Sequence, residues 1–269
     1  MFREFRFKAI LALKQLLYGR RGEPFRIAGA LLRFVPGTRP ILPKYRTSTN
    51  DISRYDALQV EQIAQRLGPG DLAMDIGAHA GQYALIMAAR CGPKGKVIAF
   101  EPDSHAREIL LRNLALNPGI ARPVVEEFAL SDRSGPAMLF SRGGDSNSSL
   151  SLSGLPTMAI EDLEQIEVTL CTLDDYLHQR GLPFPKLIKI DTEGAEIQIL
   201  RGAEAVLASD AEILCELHPY AWEGFGDSLA DLQALLAKSG RQMRYIDQPQ
   251  AALGEPTYGV VYLERQERS

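Results

Sequence analysis

From Leu72 onward, short apolar runs alternate with longer stretches in which apolar residues recur every three or four positions. That alternation predicts strands at Leu72–Ile76, 96–101, 123–128, 186–191 and 213–217. It predicts helices at Gln82–Cys91, 104–117, 196–208 and 228–239. Two further strands, at 242–246 and 258–263, are joined by a segment with two prolines, one glycine and no helical period. Strands separated by helices require right-handed crossovers and a mainly parallel sheet. The last connection suits an antiparallel hairpin at the end of that sheet. The expected fold class is therefore α/β: a doubly wound, seven-stranded, mostly parallel, Rossmann-like sheet.

Two segments break the alternation. Residues 141–156 (SRGGDSNSSLSLSGLP) are rich in Ser and Gly and read as a loop between strands near 137–140 and 166–170. Long loops inside compact domains are commonly functional, so a lid over a site stands beside a plain surface loop. At the other break, Phe2–Tyr18 sets Phe2, Phe5, Ile10, Leu13, Leu16 and Leu17 among Arg3, Arg6, Lys8 and Lys14. Such a helix either packs its apolar side on its own domain or lies on a membrane surface; packing is the expectation. With another helix at 56–67, the chain divides into a basic helical extension or cap, 1–70, and a sheet domain, 71–269.

Composition narrows the setting. A chain of 269 residues with 45% hydrophobic content can bury one substantial core. No run approaches the roughly 18 apolar residues of a membrane-spanning helix, and the run at 9–13 is too short for a signal-peptide core. The expected location is cytoplasmic. Cys91, Cys171 and Cys215 are far apart and form no C-x-x-C pair, which argues against a disulfide framework or zinc site and for structural thiols. The net charge of −4 hides an asymmetry. Residues 1–50 hold eleven Lys/Arg against Glu4 and Glu23, leaving 19 basic and 32 acidic residues in 51–269. The acidic body repels nucleic acid, whereas the basic arm suits an anionic partner or the periphery of a membrane. Oligomeric state has no signature.

The candidate site lies at the ends of the first two strands. In a parallel sheet, ligands bind beyond the carboxyl ends of the strands, where strand order reverses. The first strand runs into DIGAHAG, 75–81, a glycine turn that lets backbone approach a ligand closely. Glu101 ends the second strand, twenty residues after Gly81, where a carboxylate can accept both ribose hydroxyls of an adenosine cofactor. A dinucleotide would require G-x-G-x-x-G, but counting from Gly77 those positions hold His79 and Gln82. Asp75 would repel a pyrophosphate and suits the sulfonium and ammonium of S-adenosylmethionine (SAM). NAD-dependent oxidoreduction on the same sheet is the alternative, and a non-catalytic SAM-binding or membrane-docking protein is another.

At these residues the chain resembles the FkbM family of SAM-dependent methyltransferases. The resemblance rests on MDIGAHAGQYAL (74–85), AFEPDSHAREILLRNLALN (99–117), ALSDRSG (129–135), SSL (148–150), TLDDYL (172–177), LIKIDTEGAEIQILRGA (187–203) and ILCELHP (213–219), in that order. It implies a class I methyltransferase fold and O-methylation of a hydroxyl on a small metabolite, sugar or glycan. It implies SAM-binding roles for Asp75, Gly77, Ala78, Gly81 and Glu101. By fold analogy, Phe128 and Ala129 border the adenine. His79 departs from the family's usual Asn.

Methyl transfer to a hydroxyl also needs alignment, exclusion of water and removal of a proton. The fourth strand delivers Asp191 and Glu193, and the fifth delivers Glu216 and His218. Asp191 or His218 is the candidate general base. In the other version, Asp191 and Glu216 hold a divalent ion such as magnesium, which lowers the pKa of the acceptor hydroxyl. Glu196 reads as structural, and 172–175 (TLDD) reads as a helix cap. The tetrapeptide after the fourth strand is Asp191-Thr192-Glu193-Gly194. It lacks the (Asn/Asp)-Pro-Pro-(Tyr/Phe) pattern of enzymes that methylate nucleobase amines.

Overall fold

The computed structural model describes residues 2–38, 52–141, 148–151, 163–246 and 257–266. Its centre is a seven-stranded sheet built from β3 (Leu72–Ile76), β4 (Lys96–Phe100), β5 (Val124–Glu126), β9 (Leu187–Ile190), β10 (Glu212–Leu217), β11 (Arg241–Tyr245) and β12 (Gly259–Arg265). The order is β11-β12-β10-β9-β3-β4-β5, parallel from β10 to β5. Strand β12 runs antiparallel to both neighbours. The expected terminal hairpin is present, with its second arm inserted between β10 and the first arm. Its connection, 247–256, lies outside the described residues.

Strand β9 is buried at every position, and β3 and β4 are buried at all but the first. This is the pattern of parallel strands covered on both faces. One face packs against α2 (Ile52–Arg66) and α3 (Gln82–Cys91) through Ala73, Val97, Leu187 and Leu214. The other packs against α5 (Leu173–Arg180), α6 (Glu196–Arg201), α7 (Glu204–Ala208) and α8 (Leu229–Lys238) through Met74, Ile98, Ile188 and Ile213. Between β4 and β5 runs α4 (Ser104–Ala115), capped by the Asp103 carboxylate on the amides of His105 and Ala106.

Several elements differ from the sequence expectation for physical reasons. The single helix expected at 196–208 is broken between α6 and α7. A Cβ on Gly202 would lie 2.1 Å from the Ser131 carbonyl oxygen, so the chain bends where it meets that neighbour. The strand expected at 123–128 ends at Glu126, and Ala129–Leu130 (β6) joins a separate sheet in the order β6-β8-β7. Its other members, β7 (Gly135–Ser141) and β8 (Glu164–Cys171), are the two strands expected around the Ser/Gly loop. Within that loop, Ser148–Ser151 are described and Ser149 bridges back to Phe140. Residues 142–147 and 152–156 lie outside the described residues.

The N-terminal extension carries helix α1 (Phe2–Tyr18) and also a hairpin, β1 (Glu23–Ile27) with β2 (Ala30–Phe34), which no sequence pattern announced. Ile27, Leu32 and Phe34 join the core on the α3 side. Asn117 and Asn113 bind the backbone of Arg33 and Val35. The expectation that α1 packs its apolar side inward is corrected: Ile10, Leu13, Leu16 and Leu17 are all exposed. Cys91 and Cys215 are buried as expected, and Cys171 is half-buried.

Candidate active site

The turn after β3 is shaped by contacts that only glycine permits at Gly77. Its φ is +79°, and a Cβ there would stand 1.8 Å from the Asp191 carbonyl oxygen. The backbones leaving β3 and β9 therefore touch. The amides of Gly77 and Ala78 both donate to the Phe100 carbonyl at 3.0 Å, which curls the turn over the end of β4. Gly81 starts α3 at φ +81°, packed on Leu110. His79 has φ +46°. Asn and His are among the few residues that adopt this left-handed conformation readily, so the family's Asn and this His meet the same backbone demand.

Glu101 closes the turn from the other side. One carboxylate oxygen accepts the His79 amide at 2.6 Å and the other accepts the Asp103 amide at 2.9 Å. Burial pushes its pKa up to about 7 despite those two bonds. Asp103 caps α4 and also accepts the hydroxyls of Ser141 and, at 2.8 Å, Ser148. Burial raises the Asp103 pKa, but these hydrogen bonds outweigh it and hold the group below the ordinary range. Ser149 donates at 3.0 Å to the Glu193 carbonyl. The SSL segment thus straps the Asp103 side of the site to the Glu193 side.

Between them lies an open cleft. Phe100, Ala106, Phe128, Leu139 and Leu150 form its apolar wall; Gly77, Glu101, Asp191, Thr192 and Glu193 supply polar atoms. Of the residues expected to bind cofactor, Gly77, Glu101, Phe128 and Ala129 line this space. Ala78 and Gly81 shape the turn. Asp75 lies beneath it, fully buried, and neither carboxylate oxygen has a hydrogen-bond partner of good geometry. Burial raises its pKa to about 6, opposed chiefly by the charge of Lys189, with a weak contribution from the nearby Ala84 amide.

Lys189 was missed by sequence reasoning. It pairs in register with Asp75 on β3, and alternation along β9 puts it on the same sheet face as Asp191. Its side chain is 1% exposed, donates to Asp191 Oδ2 at 2.9 Å and lies 4.3 Å from the Tyr83 ring centroid. Burial disfavours its charge, but Asp191, Asp75 and Glu216 outweigh burial and raise its pKa. The available signal was a lysine inside an otherwise apolar central strand, LIKI. Asp191 is in turn held below the ordinary carboxylate range, because Lys189 and His218 overcome its own desolvation.

His218 is 2% exposed and stands behind Asp191 and Glu193, with Nε2 3.8 Å and 3.7 Å from their oxygens. Its Nδ1 meets Glu196 Oε1 at 2.9 Å, and Glu196 also accepts the Gly194 amide and the Trp222 indole. The structural reading of Glu196 is sharpened: it anchors the imidazole rather than only a helix end. Burial lowers the His218 pKa, yet the bond to Glu196 and the surrounding carboxylates raise it to about 10, so the ring is an imidazolium at neutral pH. Glu193 has a left-handed φ of +52° and accepts Tyr220 OH at 2.8 Å.

The metal pair offered from sequence is Asp191 with Glu216. Glu216 accepts Gln59 at 2.9 Å and the Tyr258 hydroxyl, outside the group able to share an ion. Among the described residues that group is Asp191, Glu193 and His218, whose ligand atoms lie within 4.8 Å of one another. The TLDD segment is structural as read. Thr172 caps α5, and Asp174 accepts two amides at the start of α7.

A family model described as the methyltransferase FkbM domain matches residues 75–246. Hexuronic acid methyltransferase AglP of Haloferax volcanii is 27% identical over 176 residues, covering 64% of this chain and 68% of that protein. 2-O-methyltransferase NoeI of Sinorhizobium fredii is 28% identical over 158 residues, covering 55% and 63%. The AMB antimetabolite synthetase AmbE of Pseudomonas aeruginosa is 28% identical over 220 residues, which is 66% of this chain but 10% of that protein. The crystal structure of a methyltransferase FkbM from Methylobacillus flagellatus superposes with a TM-score of 0.47 at 14% identity, over 82% of this chain and 57% of that one.

Proposed function

The chain belongs to the methyltransferase FkbM domain family, and from that premise we propose that it transfers the methyl group of SAM to a hydroxyl of a small metabolite, sugar or glycan. The observation that carries this reading is that one cleft has Glu101 at one end, Asp191 and Glu193 at the other, and apolar walls between. Glu101 suits the ribose hydroxyls, the Phe128 and Ala129 side suits the adenine, and the close backbone at Gly77 suits the amino-acid end. The buried Asp75 carboxylate beneath that end, which has Lys189 as its nearby counter-charge but no side-chain hydrogen bond, adds negative charge below a cationic ligand. Bound SAM supplies an activated methyl group that leaves a neutral thioether behind.

On the acceptor side, Asp191 lines the cleft whereas His218 does not. Asp191 is therefore the group that receives the acceptor proton. Its pKa is low, but an alkylated hydroxyl is a strongly acidic oxonium, so a weak base suffices. Glu196 and His218 hold Asp191 and Glu193 in place from behind. The name of AglP, a hexuronic acid methyltransferase, supports an acceptor of the sugar class, and that of NoeI, a 2-O-methyltransferase, supports transfer to oxygen. The dinucleotide alternative is disfavoured, because His79 stands where a second glycine would admit a pyrophosphate.

A second version has a divalent ion at Asp191, Glu193 and His218, motivated by their mutual distances. An ion there would have to displace the His218 proton and compete with Lys189 for Asp191. The metal-free version is the one we favour. Calorimetry with SAM on wild type, Asp75→Ala and Glu101→Ala tests the cofactor half: wild type that does not bind, or both variants binding normally, overturns it. SAM consumption against sugars, phenols and lipid-linked glycans then identifies the acceptor.

A further inference from the structure

Helix α1 meets the rest of the protein along one edge. Leu11, Lys14 and Tyr18 are half-buried. Lys14 bonds Glu23 of the hairpin at 2.6 Å, and Leu11 approaches the backbone at Gly37. At 100° per residue these three fall within roughly 60° of arc. Ile10, Leu13, Leu16 and Leu17 occupy a different arc of roughly 120°, and all four are exposed, Leu16 by 83%. Leu31 on β2 is exposed as well. Half of the large hydrophobics found exposed among the described residues therefore lie between positions 10 and 31. Scattered surface leucines need no explanation, but such a concentration marks an interaction surface.

Charge says what covers it. Residues 1–26 hold seven Lys/Arg and two Glu, whereas residues 51–269 hold 19 basic and 32 acidic. Arg20 and Arg21, directly after the apolar face, are exposed, and so is Arg26, the register partner of Leu31. A second copy would set one basic arm against another. An anionic bilayer accepts both features, with apolar side chains at the acyl boundary and arginines at the headgroups. It also repels the acidic body, which confines contact to this end.

We propose that α1 and the adjoining hairpin dock the protein on an anionic lipid bilayer, with Ile10, Leu13, Leu16 and Leu17 entering the interface. The test is co-sedimentation of the full chain with phosphatidylcholine vesicles, with and without about one-third phosphatidylglycerol. The expected result is pelleting with the anionic vesicles, at least fivefold less with phosphatidylcholine alone, and release at high salt. The variant Leu13→Gln/Leu17→Gln, changed only at exposed positions, should partition at least tenfold less while binding SAM like wild type. Each loss from Arg20→Gln or Arg21→Gln should be about fivefold. Wild type left in the supernatant with anionic vesicles overturns the proposal, as does a double-leucine variant that pellets equally. A dimer on size exclusion that the leucine variant turns into a monomer assigns the face to a second copy and also overturns it. Because vesicles alone are the probe, the result is independent of the methylation reading.

Discussion

The Lys189 ammonium stands 2.9 Å from Asp191 Oδ2 while sharing its strand register with Asp75, so one buried cation serves the carboxylates at both ends of the proposed reaction. Removing it leaves those carboxylates without their counter-charge. Lys189→Met should destabilise the protein by about 3 kcal/mol, within the range for breaking a buried ion pair. Lys189→Met/Asp191→Asn should recover part of that loss. Urea denaturation of wild type and the two variants measures it; a Met variant as stable as wild type would show that the charge balance has been misread.

Asp191→Asn should lower turnover on the acceptor found by screening by about 10²–10³-fold, with SAM affinity changed little. Equal turnover would remove Asp191 from proton transfer. Losing the imidazolium in His218→Gln removes a positive charge that depresses Asp191, so the acidic limb of the pH–rate profile should move upward. An unshifted limb would show that His218 does not act on Asp191.

Glu101 makes SAM binding depend on pH. Its folded-state pKa of about 7 lies above the ordinary 4.5, so the folded apo protein holds this proton more tightly than the unfolded chain. Its contribution to folding is thus fully present below 4.5 and lost as pH rises through 7. Ribose hydroxyls donate best to the ionised form, so SAM affinity should tighten, by up to roughly tenfold, between pH 6 and 8. Calorimetry across that range should show a flat, weaker profile for Glu101→Gln. The same slope in both proteins would locate the proton elsewhere.

Gly77→Ala forces a Cβ against the Asp191 carbonyl and a side chain into a left-handed backbone. A loss of about 2–3 kcal/mol and failure to bind SAM are expected. His79→Asn, by contrast, suits the same φ and should leave stability within about 0.5 kcal/mol of wild type. Thermal unfolding and SAM titration distinguish the two.

Turnover should persist after dialysis against EDTA, because Lys189 and protonated His218 already balance the cluster around Asp191. Loss of activity restored by magnesium would install the metal version instead.

The chain's periodicity by itself determined the strand and helix succession, because each parallel strand buried on both faces must be a short apolar run and each crossover an amphipathic helix. It also determined the turn at 75–81 and Glu101, since local backbone geometry and a strand-end carboxylate are written in contiguous residues. The hairpin β1–β2 stayed hidden, because its burial comes from α3 and its backbone is held by Asn113 and Asn117, which lie 78 and 84 residues from the residues they bind. Residue types alone brought Asp191, Glu193, Glu216 and His218 together as equals. Tertiary structure separated them, turning Glu216 toward Gln59 and Tyr258 and setting His218 on Glu196. It also placed Lys189 among three carboxylates. Charge pairing across neighbouring strands depends on register and side-chain direction, which no single strand's sequence carries.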